Sequence, residues 1–311
     1  MSGILGTMPA ARLPPSLPTR DGVGPSCVGL PAGQWSTITD FLVQRFPAIT
    51  RQTWIERMRR GDVVDERGDA VTPQRPYQPH IRVYYYRALD TEAAIPFDEQ
   101  VLYRDAHLVV ADKPHFLPVT PSGRYLQQTL LVRLKRRLGL DTLAPIHRID
   151  RETAGLVLFS VQPHTRGAYA DLFRRQGFNK QYEAIAPYLP SLEFPLTRRS
   201  RIEAGTPFFR LHEVPGLPNT LTHIELLDHR KGLAHYRLTP LTGRKHQLRV
   251  HMAALGIPIM DDAFYPDIRQ GPDEPDDLQR PLQLLARTIA FTDPVTGEPR
   301  QFESAQRLHL P

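Results

Sequence analysis

The segment His147-Arg148-Ile149-Asp150-Arg151-Glu152-Thr153-Ala154-Gly155 sets one carboxylate, Asp150, between two guanidinium groups at the entry to a short apolar run. Arg148 and Arg151 favour the ionised form of a nearby acid. An acid held ionised near neutral pH has no proton to give, so it suits a nucleophile or a base rather than a general acid. Gly155, lacking a side chain, lets another backbone or a ligand come close. The plainer reading of the same residues is a structural ion pair.

Two further stretches carry polar side chains in patterned positions. In Phe178-Asn179-Lys180-Gln181-Tyr182-Glu183-Ala184-Ile185, Lys180 and Tyr182 fall on one side of a strand. Leu241-Thr242-Gly243-Arg244-Lys245-His246-Gln247-Leu248-Arg249-Val250-His251 runs from a turn into a helix. Taken singly, Tyr182 reads as a half-buried strand tyrosine and Arg249 as a surface residue. The spacings His147–Asp150 and His246–His251 do not make a two-histidine helical pair, and no further ligands cluster beside them. No metal site is expected, and Gly243 is a turn glycine rather than part of a phosphate-cradling loop.

These stretches need elements to hold them. Apolar runs predict strands at 100–105, 107–112, 155–160, 181–186, 223–228, 234–240 and 288–292. Helices fit 129–138, with Leu130, Leu131, Leu134 and Leu138 as the apolar stripe and its basic residues outward, 164–173 and 245–255. Strands outnumber helices without alternating with them, which predicts an α+β fold rather than a doubly wound sheet. Upstream, Thr39 or Asp40 can cap a helix over 39–46, Thr53–Arg60 predicts a second helix ended by Gly61, and Val63-Val64 and 81–86 predict strands. Residues 1–33, rich in Pro, Gly and Ser, read as a flexible leader. The expected division is leader 1–33, a small module over 34–90, with a linker near 88–97, and a main domain over 91–311.

A chain of 311 residues with net charge +6 is long enough for a proper core, and its sign suits an anionic partner. Basic residues concentrate at Arg133, Lys135, Arg136 and Arg137 and at Arg198, Arg199 and Arg201, while acids gather between Asp261 and Asp277. Each run alone reads as a solvated face. The single cysteine, Cys27, excludes internal disulfides, and no apolar run is long enough to span a bilayer. A soluble, reducing, cytoplasmic setting is the expectation.

Taken in order, the Asp150 loop, the Lys180/Tyr182 strand and the Arg244–Arg249 helix start resemble the RluA-type pseudouridine synthases over roughly residues 98–304. Leu108-Val109-Val110-Ala111-Asp112-Lys113-Pro114, Gly256–Ile259, Asp262–Tyr265 and Ala290–Glu298 also fit that pattern. The resemblance implies a mixed, mainly antiparallel central sheet with flanking helices and a cofactor-free reaction on RNA. In it the bond from uracil nitrogen to the anomeric carbon is broken, and the base is turned and rejoined through carbon. The uridine must first leave the stack. By resemblance Asp150 acts at the ribose, by attack on the anomeric carbon or by removing a sugar proton to give a glycal. Tyr182 stacks on the uracil and assists the late proton step, and Arg249 is the ion partner of Asp150. A guanidinium ~4 Å away contributes roughly 4 kcal/mol at an effective dielectric of 20, before desolvation is subtracted. Arg148 is placed to fill the gap left by the flipped base. His147, Arg151, Lys180, Arg244, His246 and Gln247 complete the expected substrate-binding set.

Residues 35–87 resemble the alpha-L RNA-binding module shared with a ribosomal small-subunit protein, although Asp65-Glu66-Arg67-Gly68 stands where an Asn-Gly turn is usual. Other departures are Ile149 for Leu, Asp261-Asp262 for Gly-Asp, Leu284-Leu285-Ala286 for a Leu-His-Ala sequence, and a glycine-free His115–Thr120 turn. They bear on substrate rather than chemistry. The expected partner is RNA, ribosomal first and transfer second, with no membrane, no obligatory protein partner and a monomeric chain. The rival reading is a catalytically silent RNA-binding or ribosome-assembly factor on the same fold. A metal-dependent nuclease ranks third.

Overall fold

The structure is a computed structural model and describes residues 17–89, 91–207, 209–271 and 274–310. The chain divides into two units, Met1–Asp90 and Thr91–Pro311. In the first, β1 (Ser26–Gly29), β2 (Val63–Asp65) and β3 (Arg82–Tyr85) form an antiparallel sheet in the order β1-β3-β2. Helices α1 (Ile38–Arg45) and α2 (Arg51–Arg59) share a core with it through Ile38, Leu42, Trp54, Met58 and Val83.

Local chemistry sets these boundaries. Thr37, rather than Thr39 or Asp40, caps α1, and its side chain and that of Asp40 each accept the other's backbone N–H in a capping box. Thr39 is instead buried and donates to the Pro73 carbonyl. Gly61, at φ 73°, lets the chain turn out of α2. The Asp65–Gly68 turn works without Asn-Gly, because the Asp65 carboxylate accepts the N–H groups of Arg67 and Asp69. The expected flexible leader over 1–33 needs correction. Its residues 1–16 lie outside the described residues, but within 17–33 β1 pairs with β3 and Leu30 is buried.

The second unit runs β4 (Gln100–Arg104), β5 (Leu108–Lys113), α3 (Leu130–Leu138), β6 (Ala144–Pro145), β7 (Ala154–Ser160), α4 (Arg166–Arg174) and β8 (Asn179–Pro187). It continues through β9 (Leu196–Ala204), β10 (Leu211–Val214), β11 (Thr220–Arg230), β12 (Leu233–Pro240), α5 (Gln247–Ala254), β13 (Leu284–Thr292) and β14 (Pro299–Glu303). The sheet order is β10-β9-β11-β12-β8-β13-β7-β5-β4, with β14 beside β13 and β6 beside β7. Among the described residues only β13 and β7 pair parallel, so the fold is α+β with a mixed, mainly antiparallel sheet.

Strands β5 and β7 are buried throughout, which explains their near-continuous apolar sequence. On one face Val109, Ala111, Val157 and Phe159 meet Leu130 and Leu134 of α3; on the other Leu108, Val110, Leu156 and Leu158 meet Tyr169 of α4. Each fully buried Leu or Phe there contributes roughly 2 kcal/mol. A second core joins β8, β11 and β12 to Leu248 and Met252 of α5. The parallel joint between β7 and β13 depends on Gly155, at φ 108°, where a Cβ would lie 2.3 Å from the Ala286 carbonyl oxygen. The close approach expected at this glycine is therefore made by the backbone of β13.

Part of each basic run is engaged within the unit. Arg133 does not face outward: it turns in to donate to the Ile95 and Phe97 carbonyls, at 2.8 and 2.7 Å, anchoring the segment that enters the unit. Arg137 pairs with Glu99, and Arg198 with Glu213.

Candidate active site

The Asp150 loop is fixed backbone by backbone. His147 is buried, and its Nε2 accepts the Leu158 N–H at 3.2 Å while its ring stacks on Phe173. Burial, with Lys180 adding to it, pushes the His147 imidazole down to about 3, in keeping with a neutral ring that accepts at Nε2. Ile149 packs on the core beside α3. The Asp150 carbonyl accepts the Thr153 N–H, the Arg151 carbonyl accepts from Lys113 Nζ at 2.9 Å, and the Glu152 carbonyl accepts from His115 Nδ1 at 2.7 Å. With its neighbours tied in this way, the Asp150 side chain, 24% exposed, is free to face an open cleft of about 810 Å³.

Asp150, Tyr182, Arg249, Arg148, His147, Arg151, Lys180, Arg244, His246 and Gln247 all line that cleft. They do not stand there in the same way. Arg249 is wholly buried, and its guanidinium is held by Asp262 through Nε–Oδ2 at 2.8 Å and Nη2–Oδ1 at 2.6 Å. The remaining nitrogen, Nη1, lies 3.5 Å from both Asp150 Oδ2 and Glu152 Oε2. Burial opposes the Arg249 charge, but Asp262, Glu152 and Asp150 together more than offset it and push the group upward. Burial would likewise raise Glu152, yet Arg249 and Arg151 bring its carboxyl down to about 2.

The expectation that Arg148 and Arg151 bracket the Asp150 charge is corrected. Arg148 is exposed, and no ion pair joins it to Asp150 among the described residues. Arg151 points away to Asp276, with Nη2–Oδ1 at 2.8 Å, and to Glu152 at 3.0 Å. Adjacent residues in an irregular loop need not share a face, so neighbours in sequence are not neighbours in charge.

His246 starts α5 in the left-handed region at φ 55°, a sparsely populated conformation that aims its ring at Asp150, with Nε2 4.0 Å from Oδ2. The Tyr265 hydroxyl accepts the Leu211 N–H at 2.9 Å and lies 3.0 Å from His246 Nδ1. With that hydroxyl donating to Nδ1, the neutral ring carries its proton on Nε2, toward Asp150. Burial brings the imidazole down to about 4 against the pull of Asp150. Gln247 is occupied internally: its Oε1 accepts from Thr242 Oγ1 and Arg244 N, and its Nε2 donates to Leu221 O and Thr222 Oγ1. It shapes the turn that presents Arg244, whose side chain is exposed. Tyr182 and Lys180 project from β8 into the cleft. Burial, and then the Asp150 charge, push the Tyr182 hydroxyl well above its usual range.

Residues 107–254 match the family described as RNA pseudouridylate synthase. The dual-specificity RNA pseudouridine synthase RluA of Pasteurella multocida is 31% identical over 213 residues, spanning 64% of this chain and 89% of that protein. The chain belongs to the RluA-type RNA pseudouridine synthases. The synthase is thus an isomerase acting on RNA. The ribosomal large subunit pseudouridine synthase D of Xanthomonas campestris is 28% identical over 284 residues, covering 83% of this chain and 82% of its own. In fold, the human RNA Pseudouridylate Synthase Domain Containing 1 superposes with a TM-score of 0.56 at 22% identity, over 70% of this chain and 86% of that one.

Three residues that hold Arg249 or the Asp150 loop carry no role in the sequence alone. Asp262 sat in what looked like a separate acidic stretch, Glu152 lay inside the Asp150 segment without a role, and Lys113 stood in a weakly matching Lys-Pro pair. The sequence signal for Asp262 is faint: it stands second in the Asp261-Asp262 pair that replaces Gly-Asp. Its neighbour Asp261 adopts φ 58°, the conformation a glycine takes without strain.

Proposed function

We propose that the synthase converts a uridine of ribosomal RNA to pseudouridine in the Asp150 cleft, with Asp150 acting at the ribose of the everted nucleotide. The observation that carries this reading is the Asp150 carboxylate itself, open to the cleft on one side and 3.5 Å from the fixed Arg249 on the other. Arg249 gives the carboxylate a permanent cation that cannot swing away, because Asp262 holds its other two nitrogens. Attack on the anomeric carbon and removal of a sugar proton both call for the same negative oxygen. In either route the bond from uracil N1 to the ribose breaks with its electron pair leaving on the base. The base turns, its C5 bonds to the anomeric carbon, and the C5 proton departs.

Tyr182 takes the role of platform and hydrogen-bond donor for the uracil. Burial and the Asp150 charge push its hydroxyl upward, which favours the protonated, hydrogen-bond-donating form. Arg148, exposed at the lip, fits the gap that the everted base leaves, and Arg244 fits a phosphate contact.

Ribosomal RNA stands first because the relative matched over 83% of the chain is named for the large ribosomal subunit, and a match of that length extends beyond the Thr91–Pro311 unit. Transfer RNA stands second. The helix–helix–strand unit before residue 91 would bind RNA in support. Mapping pseudouridines in ribosomal and transfer RNA from cells lacking the protein tests the reading: one or a few sites should revert to uridine. An unchanged map in both RNAs contradicts it.

A further inference from the structure

A second hollow of about 710 Å³ opens beside the Asp150 cleft and shares with it Phe173, Lys180, Pro240, Thr242 and Gly243. One wall is apolar: Leu241, 43% exposed, lines it together with Pro240 and Pro299. The rim is polar, with Asn179, Thr292 and Gln301 all exposed. Lys180 stands on the ridge between the two spaces, its Nζ 4.7 Å from the Phe173 ring centre and 3.9 Å from where a Cβ on Gly243 would sit.

The charges around the hollow are unequal in status. Arg300 is answered by Asp105 and Asp293, at 3.5 and 3.7 Å. Lys180 has no carboxylate within pairing distance among the described residues, and its ammonium is half-buried over the Phe173 ring. A half-buried ammonium without a counter-ion is held at a cost, which a bound anion removes. In a polynucleotide an anion lies between every two nucleosides, so a cation on the ridge between two spaces, each roomy enough for a nucleoside, is where that anion belongs.

We propose that the second hollow receives the nucleotide adjoining the target uridine, splayed from the RNA together with it, and that Lys180 binds the phosphodiester linking the two. The inference rests on the reading that the Asp150 cleft holds the target uridine. The apolar wall accepts the face of any base, and the Asn179, Thr292 and Gln301 side chains meet its edge. Single-stranded RNA is recognised by this combination of stacking and edge contacts. The neighbour's identity then contributes to the choice of uridine.

The test uses stem-loops carrying the uridine mapped in RNA from cells lacking the protein, intact or with an abasic residue directly 5′ or directly 3′ of it. On wild-type enzyme one of the two abasic RNAs should lose about tenfold in kcat/KM, the scale of one lost stacking contact. Gln301→Trp, which fills the hollow from an exposed position, should cost a similar factor on intact RNA, with the abasic penalty gone. Lys180→Gln should lower the slope of log affinity against log salt by roughly 0.7, the value for one phosphate on a single strand. Equal kcat/KM for the intact and both abasic RNAs on wild-type enzyme overturns the subsite while leaving the uridine cleft in place, and so does an unchanged salt slope in Lys180→Gln. No pseudouridine on any of these RNAs overturns the reading beneath it, and the subsite with it.

Discussion

Arg249 gives two of its three guanidinium nitrogens to Asp262, at 2.6 and 2.8 Å, and reaches Asp150 only with the third, at 3.5 Å. The tight pair is thus the structural one, and the looser contact faces the cleft. This arrangement separates holding the cation from using it. A guanidinium with one close partner, Asp262, and two distant ones, Asp150 and Glu152, keeps its place whatever bonding the Asp150 carboxylate takes on.

Removing that grip should be costly in two ways. Asp262→Ala leaves a fully buried guanidinium facing a void and should destabilise the fold by about 3–5 kcal/mol, the usual scale for breaking a buried pair. Asp262→Asn keeps the volume and part of the hydrogen bonding. It should fold and bind RNA with near-normal affinity, yet lose kcat by about a hundredfold as Arg249 loses its aim. Single-turnover kinetics beside filter binding checks this; an unchanged kcat contradicts the positioning role of Asp262.

Tyr182 tests the platform. Tyr182→Phe keeps the ring and should hold RNA affinity within about threefold, whereas Tyr182→Ala should weaken it by roughly tenfold, in line with the loss of one base–aromatic contact. Equal affinity for the two variants would exclude stacking on this ring.

The site and the frame were unequally legible in the sequence. Asp150, Tyr182 and Arg249 are carried by local patterns, a charged turn, a strand start and a helix start, and all three line the cleft. Asp262 was not legible as a site residue. It lies beyond the end of α5, and only the return of the chain brings its carboxylate under Arg249. The directions of Arg148 and Arg151 are not legible, because they depend on loop dihedrals that charge patterning does not encode. In strand β9 the run Arg198, Arg199 and Arg201 reads as a solvated face, although the strand's alternation hides Ile202 and gives Arg198 to Glu213 of β10. Strand β14 begins at a proline, which reads as a break but is tolerated at the start of a strand.

The joint of the sheet offers a test of stability. Gly155→Ala must place a Cβ against the Ala286 backbone at a φ of 108°, so neither space nor conformation is available. The variant should lose roughly 3 kcal/mol or more. Trimming the Ala286 side chain to glycine should not rescue it, because the clash is with backbone atoms. Chemical denaturation of the single and double variants checks both statements; full rescue contradicts the geometry.

Acid should weaken the fold early. Burial lowers His115, His246 and His251 to about 4 and His147 to about 3, from an ordinary 6.5. Between those values the unfolded chain binds more protons than the folded one. Stability is therefore complete above pH 6.5 and falls as pH drops toward about 4, by up to about 1.4 kcal/mol per pH unit for each imidazole. Glu152, lowered to about 2 from 4.5, extends the loss below pH 4.5. The urea midpoint should be clearly lower at pH 5 than at pH 7. Equal midpoints contradict the neutral, buried state of these rings.

The most direct measurement is single-turnover pseudouridine formation by Asp150→Asn on the mapped RNA, with binding followed in parallel. The substitution keeps shape and removes the negative charge. RNA should bind within about threefold of wild type, while the rate falls by at least about 10⁴-fold, as it does when an essential reacting group is deleted. Turnover within about tenfold of wild type would contradict a role for the Asp150 carboxylate at the ribose.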